Sequence, residues 1–497
     1  VSSRQSLSSP PGFQLPSLRG LVDGVEAVEG ERGVVELTYH DTPDLRLARA
    51  GATLLYRADD GWVVTLGSET TGDAGSDRPQ PEHRFEGEAS QPPAAALDLV
   101  RALVRTAKVG PVARLRTRHR PVELHDASGK TLGEVLDEEV TVLAGGRVAA
   151  RFREVELEVD DAAPEELVEA LHTRLRAAGA GPPDPSPQIV RALGWRALEP
   201  PDVAVAHDLG PSPTAGDVIR NALAASVARL VAHDPGVRLG DDPEDVHQAR
   251  VATRRLRSDL RTFRDLLDPD WTRSLRQDLK GVGQELGAVR DAEVLLDRLR
   301  AHAERLPAAD QASAKKIIQR LLQRWDEARA ELLDALGSTR YAELVDRLVE
   351  AAREPALLPD AEGPAADLLP PLVRDPWEKL RDTVDDLTDD PSDEQLHDVR
   401  IEAKRCRYAA EAVAPAVGKR ARAFAKAVAD LQDILGEHQD AVVAEAWLRD
   451  VASTESGREV FVAGQLASLE RLENDRTRAA WGDVWRAASK KKLRQWL

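Results

Sequence analysis

Methionine is absent from this chain, and Cys406 is the lone cysteine among 497 residues. A single cysteine excludes an internal disulfide and fits a reducing, cytoplasmic setting. No apolar run approaches the length of a membrane-spanning helix, so no membrane partner is expected. The Ser/Pro-rich start, Val1 to Gly12, has no apolar stretch behind a basic one, so a secretory leader is not expected either. A chain that starts at Val1 leaves open a first strand lying upstream. A basic balance is also lacking: Asp and Glu outnumber Lys and Arg 86 to 68, and the formal net charge is −18. General nucleic-acid binders carry a basic surplus. Any polyanion site here must therefore be a local basic groove on an acidic body, which would repel duplex DNA beyond that groove, subject to salt screening.

What is present divides into two textures. From about 13 to 199, short alternating segments are broken by Gly, Pro and Asp. Val34 to Thr38, Trp62 to Leu66, Val112 to Arg120 and Phe152 to Val159 read as strands of an antiparallel sheet or barrel. Helices are expected at Ala94 to Thr106 and Ala163 to Ala178. Residues 200–213 read as a Pro-rich linker. From 214 to 497 apolar residues recur at three and four, the helical rhythm. A second Pro-rich passage, Pro355 to Pro376, divides this half into two expected bundles, about 214–354 and 377–497. The fold class is therefore α+β, an antiparallel barrel followed by an all-α duplicated bundle.

The duplication is legible in two motifs. His247 to Arg257 reads HQARVATRRLR, and His397 to Arg407 reads HDVRIEAKRCR. Downstream, LGAVRDAEVL (Leu286 to Leu295) matches LGEHQDAVVA (Leu435 to Ala444), with Asp291 and Asp440 in register. Matching order and spacing argue for stacked repeats. In the first repeat, Asp242 and Pro243 are a good N-cap and first helical residue. His247, Arg250, Arg254, Arg257 and Arg261 then share one helical face. In the second, Ser392 and Gln395 suit a capping box, and His397, Arg400, Lys404 and Arg407 form the stripe. Like charges stacked this way are unfavourable by roughly 0.2–0.5 kcal/mol per exposed pair. Either an anion offsets them, or the face is solvated and salt-bridged, with Asp291, Glu293 and Asp440 as partners. The two histidines read as anion contacts or as neutral packing residues; a metal site would want more Cys or carboxylate near each.

These motifs resemble the CHAD family, the conserved-histidine α-helical domain, over about Thr214 to Leu497. The residues carrying the resemblance are His247 with Arg250, Arg254, Arg255 and Arg257, and His397 with Arg400, Lys404, Arg405 and Arg407. The resemblance implies binding of inorganic polyphosphate and, in some members, association with polyphosphate granules. It also implies that these residues line a central basic surface, which Lys280 and Arg290 would extend on one side only, since their counterparts are Ala429 and Gln439. Arg forks match phosphate oxygens bidentately, while Lys acts as a point charge. Protonated His247 and His397 would add to the site, with Asp291 or Asp440 favouring that form.

In the first half, Arg114, Arg116, Arg118 and Arg120 alternate along one strand and Glu154, Glu156 and Glu158 along another. On an open sheet such residues face solvent; on a closed barrel they would line a lumen suited to phosphates and divalent cations. TYHDTPDLRLARAGATLLYR (Thr38 to Arg57), RLRTRHR (Arg114 to Arg120), REVELE (Arg153 to Glu158) and the stretch Gln188 to Gly194 resemble the CYTH family of triphosphate tunnel enzymes. That resemblance implies Mg or Mn held by glutamates and hydrolysis of triphosphates. The family's E-x-E-x-K signature falls on Ser2, Arg4 and Ser6, Thr65 takes a lysine position, and Gln188 stands where a basic residue is usual. Arg57, Arg84, Arg114, Arg116 and Arg118 remain as anion-binding candidates; Glu134, Glu154 and Glu156 remain as carboxylates. Half a carboxylate set holds a metal poorly, so loss of most hydrolysis is expected.

Three functions follow as expectations. The first is a cytoplasmic polyphosphate binder, associated with polyphosphate granules and needing no cofactor. The second is a triphosphatase using Mg or Mn, with the helical half recruiting polyphosphate. The third is a binder of nucleic acid or acidic protein, although specific nucleic acid is not an expected partner.

Overall fold

Alternation at Val112 to Arg120 and Phe152 to Val159 produces two long strands with a third between them. In the computed structural model, which describes residues 2–10, 12–67, 81–144, 147–160, 163–182, 184, 186 and 188–497, these are β7 (Gly110–Asp126), β8 (Thr131–Ala144) and β9 (Arg147–Asp160). The others are β1 (Ser2–Ser9), β2 (Val25–Glu29), β3 (Gly33–Asp41), β4 (Thr53–Arg57), β5 (Gly61–Thr65) and β6 (Glu82–Phe85). All pairings are antiparallel, in the order β1-β9-β8-β7-β3-β4-β5-β6, with β2 also on β7. Among the described residues the end strands β1 and β6 do not pair, so the expected closed barrel is an open, tunnel-like sheet. A four-residue, charged β6 (EHRF) is a blunted edge of the kind that ends a sheet. The chain divides into two compact units after Asp202.

The short helices of this unit are α1 (Arg46–Arg49), α2 (Ala94–Leu99), α3 (Arg101–Val104), α4 (Glu165–Ala177) and α5 (Gln188–Leu193). The single helix expected at Ala94 to Thr106 is broken at Val100, whose backbone leaves the helical region, and ends before Arg105 at positive φ. The long strands bury opposite faces at their two ends. Val122, Leu124, Val135, Val155, Leu157 and Val159 pack with Leu167, Leu171 and Leu175 of α4. Leu37, Leu55, Val63, Leu115, Val140 and Val142 pack with Ile189 and Val190 of α5.

Register settles which charges share a face, because directly paired residues point the same way. Arg118 pairs with Glu139, which pairs with Arg153; His119 pairs with Glu138, which pairs with Glu154. Arg114, Arg116, Arg118 and Arg120 therefore lie on the face opposite Glu154, Glu156 and Glu158. The shared Arg and Glu lumen expected from alternation does not form, since the two strands run out of phase by one residue across β8. Arg57, Arg84, Glu134 and Thr65 do fall on the Glu154 face. Ser6 pairs with Glu156 and Arg4 with Glu158 on β1, the strand where the glutamate and lysine signature would stand.

The second unit holds α6 (Ala215–Leu239), α7 (Pro243–Thr262), α8 (Pro269–Glu304), α9 (Gln311–Gly337), α10 (Thr339–Arg353), α11 (Ala365–Leu368), α12 (Pro371–Asp385), α13 (Asp393–Val417), α14 (Lys419–Thr454) and α15 (Arg458–Ala488). No helix of the described residues is long and apolar enough to cross a membrane. Both expected starts are observed: Asp242 caps α7 through Glu244 N–H with Pro243 in its first turn, and Ser392 and Gln395 form a reciprocal capping box on α13. The repeats are not two separate bundles. Leu295, Leu299 and Ala303 of α8, Ile317 and Leu321 of α9, Leu448 of α14, and Val462 and Leu466 of α15 share one core. Apolar stripes on both repeats point at each other, so burying one requires the other.

Within the first unit, Asp137 is wholly buried and takes a two-pronged bond from Arg153, at 2.6 and 2.7 Å. Removing one partner of a buried pair strands the other charge. Asp137→Ala is expected to destabilise this unit by about 3 kcal/mol, read as a lower urea midpoint. An unchanged midpoint would mean that Arg153 finds an alternative partner.

Candidate functional site

The basic rows of α7 and α13 meet because those helices pack together with α8 and α14 behind them. Their apolar faces fix the rotation. Ala249, Ala252, Leu256 and Leu260 of α7 are buried, as are Leu396, Val399, Ala403 and Cys406 of α13. The adjoining faces then bring Arg250 and Arg254 into electrostatic contact with Arg400 and Lys404.

The charges are unevenly compensated. Arg250 has a carboxylate, Asp291 of α8, at 3.0 Å. Arg254, Arg400 and Lys404 have none within ion-pair distance among the described residues. The Nε atoms of Arg254 and Arg400 are buried and without a hydrogen-bond acceptor. Burial, followed by the charges of Arg400, Arg254 and Arg250, pushes the Lys404 ammonium down to about 7, with Asp291 opposing. Burial also pushes the Arg254 guanidinium below its ordinary value, and Arg250, Arg407 and Arg400 add to the effect. The titrating Tyr408 hydroxyl opposes it, and the Arg254 guanidinium lies 5.3 Å from the Tyr408 ring centroid, a favourable cation–π distance. Each of these cations disfavours the charged form of its neighbours.

Other expected residues are placed differently. Arg255 is tied to Glu411 and to the buried Asp259, and Arg407 to Glu411 at 2.7 Å, so both help to hold the helices. Arg405 is bound to Glu402, and Arg290 to Glu293 at 3.2 Å. Lys280 is exposed on α8 and Arg261 on α7. Arg257 has no ion pair among the described residues, and its Nε lacks an acceptor. His397 Nδ1 lies 2.7 Å from Gln439 Oε1. His247 departs from expectation. Burial, then Arg290, with Arg254 and Arg250 adding and Glu244 opposing, pushes its pKa below the ordinary histidine value. Asp291 is spent on Arg250, so the neutral ring is favoured where a carboxylate-supported cation was expected.

Three contributors were missed in the sequence. Tyr408 is flanked by Arg254, Arg255 and Arg407. Arg276, about two turns into α8, has a buried Nε lacking an acceptor, and Lys379 of α12 reaches Glu402 at 3.6 Å. The spacing of Arg276 and Lys280, one helical turn apart, was the available signal for the second; nothing in the local pattern marks Lys379.

Among the described residues the sheet unit offers no comparable cluster. Arg57 is paired with Asp60 at 2.7 Å, Arg84 with Glu82 at 3.0 Å, Arg116 with Glu36 at 2.7 Å, and Arg118 with Glu139 at 3.9 Å. Arg114 is exposed. Glu154 accepts from Arg191 of α5. The residues present do not fit Mg or Mn: one candidate carboxylate is committed to a guanidinium, Ser6 stands across from Glu156, and no group of three or more His, Cys, Asp or Glu gathers among the described residues.

Comparison with known proteins follows the same division. The CYTH domain profile matches residues 16–184 and the CHAD domain profile residues 221–449. A Mycobacterium tuberculosis (strain ATCC 25618 / H37Rv) protein, "Uncharacterized protein Rv2226", is 32% identical over 483 residues, covering 92% of this chain and 90% of its own. Among solved structures, PptA from Streptomyces chartreusis is 27% identical, with a TM-score of 0.47, covering 55% of this chain and 100% of that one. The CHAD domain from the plant Ricinus communis is 26% identical, with a TM-score of 0.47, over 57% of this chain and 95% of that one. With both profiles in order and a relative matched along nearly its whole length, the chain belongs to the family of proteins in which a CYTH domain is followed by a CHAD domain.

Proposed function

We propose that the helical unit binds inorganic polyphosphate along the meeting basic rows of α7 and α13, in the cytoplasm and on polyphosphate granules. The observation that carries this reading is the convergence of Arg250, Arg254, Arg400 and Lys404, three of them without a carboxylate partner among the described residues, on a chain of net charge −18. A flexible chain of phosphates presents closely spaced charge and no base edges, which suits guanidinium forks and an ammonium but no sequence-reading contacts. No cofactor is needed for such binding. The paired arginines and the engaged Glu154 make the sheet unit a poor candidate for metal-assisted hydrolysis. Phosphate release from tripolyphosphate with Mg or Mn, followed by a colorimetric phosphate assay, is accordingly expected to stay at background; turnover abolished by Glu156→Ala would reverse this.

Charge reversal tests the site. Arg250→Glu with Arg254→Glu is expected to weaken polyphosphate binding at least tenfold and to lower the dependence of log affinity on log salt by about two, by analogy with nucleic acids. Arg400→Glu with Lys404→Glu should do the same. Wild-type affinity in either double variant removes the two-helix site.

Lys404 gives the pH dependence its sign. A bound polyanion favours the charged ammonium and raises its pKa from about 7. Above pH 7 binding must then take up a proton, so affinity is expected to fall as pH rises from 7 towards 10. Lys404→Met should bind more weakly at pH 7 and lose that dependence. Calorimetry in two buffers of different ionisation enthalpy reads the proton uptake directly.

A further inference from the structure

Beyond the central rows, the C-terminal half of α7 opens into a cavity of about 630 Å³, a size typical of small-molecule sites. Its walls differ in chemistry. One side carries Arg254, Arg257 and Arg261 of α7 and Arg276 of α8. None of these four has a carboxylate within ion-pair distance among the described residues, and Arg254, Arg257 and Arg276 each hold a buried Nε without an acceptor. Mutual repulsion is evident: burial, then Arg257 and Arg264, depress Arg276, while burial, then Arg405 and the nearby Arg276, depress Arg261. The other side is built by the first turns of α12, where Pro371, Leu372 and Pro376 supply an apolar surface. Three carboxylates complete the lining: Glu402, already engaged by Arg405 and by Lys379, Asp265, 3.5 Å from Arg264, and Asp375 on the α12 side, away from the guanidinium row.

An inorganic phosphate chain has nothing to place against Leu372 and the two prolines. Burying apolar wall is favourable only for a ligand with apolar surface of its own. A ligand with a flat ring at one end and several phosphates at the other uses both walls: the ring against Leu372 and Pro376, with an arginine plane stacking on it, and the phosphates on the remaining guanidinium forks. We propose that this cavity is a site for a nucleoside polyphosphate, which takes in the C-terminal part of the α7 row, Arg254, Arg257 and Arg261, and adds an apolar wall that the row itself lacks. It stands on the cavity's own lining and does not depend on the polyphosphate reading.

The test uses the full chain with ATP, tripolyphosphate and long-chain polyphosphate as titrants, without divalent metal, followed by calorimetry. ATP is expected to bind more tightly than tripolyphosphate, because only ATP has a ring for the apolar wall. Leu372→Gln removes that wall without adding charge at a half-buried position. It should weaken ATP about tenfold and leave tripolyphosphate and long-chain polyphosphate unchanged. Arg261→Glu, at an exposed position that tolerates substitution, should weaken ATP at least tenfold as well. Equal affinity for ATP and tripolyphosphate together with indifference to Leu372→Gln overturns the proposal, as does ATP binding that survives Arg261→Glu. Unchanged circular dichroism of each variant ties any loss to the cavity.

Discussion

Repulsion among cations that the helix packing forces together governs the second unit. Arg254, Arg400 and Lys404 project from two helices whose apolar faces are committed to the interior, so the helices cannot rotate these residues away from one another without exposing Leu256, Val399 or Cys406. Burial deepens the cost, because a half-desolvated charge loses hydration and feels its neighbours more strongly. The surrounding carboxylates relieve this only at the margins: Asp291 takes Arg250, Glu411 takes Arg255 and Arg407, and Glu402 takes Arg405. The uncompensated remainder sits where the two rows meet. That arrangement sacrifices some stability of the empty protein and is a common property of sites whose ligand is itself highly charged.

For the proposed ligand, the acidic balance of the whole chain would act as a filter. A rigid duplex presenting charge over a wide surface would meet the acidic body as well as the groove. A narrow, flexible polyanion can follow the groove alone. In the proposed cavity site, the apolar wall of Pro371, Leu372 and Pro376 would add a selection that charge cannot provide.

Much of this was legible in the chain before any fold was known. Periodicity identified α7 and α13, their caps and their basic rows, because helix spacing maps directly onto a face. The split in roles between Arg254 and Arg255 was not legible: both are arginine, one position apart, and only packing shows that Arg255 turns towards Glu411 and Asp259. Spacing left both a cationic and a neutral reading open for His247; Arg250 was visible one turn away on the same face, but the approach of Arg290 from α8, which adds to the downward push on the ring, was not. In the sheet unit, alternation correctly placed Arg114 to Arg120 on one side of their strand. It could not say which side of the sheet that was relative to Glu154, because register across β8 is a long-range property. Lys379 was invisible as a site residue, being brought in by α12 from outside the repeated motif, whereas Arg276 was marked only by its one-turn spacing from Lys280.

The interior shared by α8, α9, α14 and α15 has a mechanical consequence. Neither repeat can swing on its own, since Leu299 and Leu466 occupy the same apolar interior. The distance between the two cationic rows is therefore set when the protein folds, like the gap between the jaws of a fixed gauge. For the proposed ligand, accommodation would fall to the guest, which would bend its own bonds to the spacing it finds.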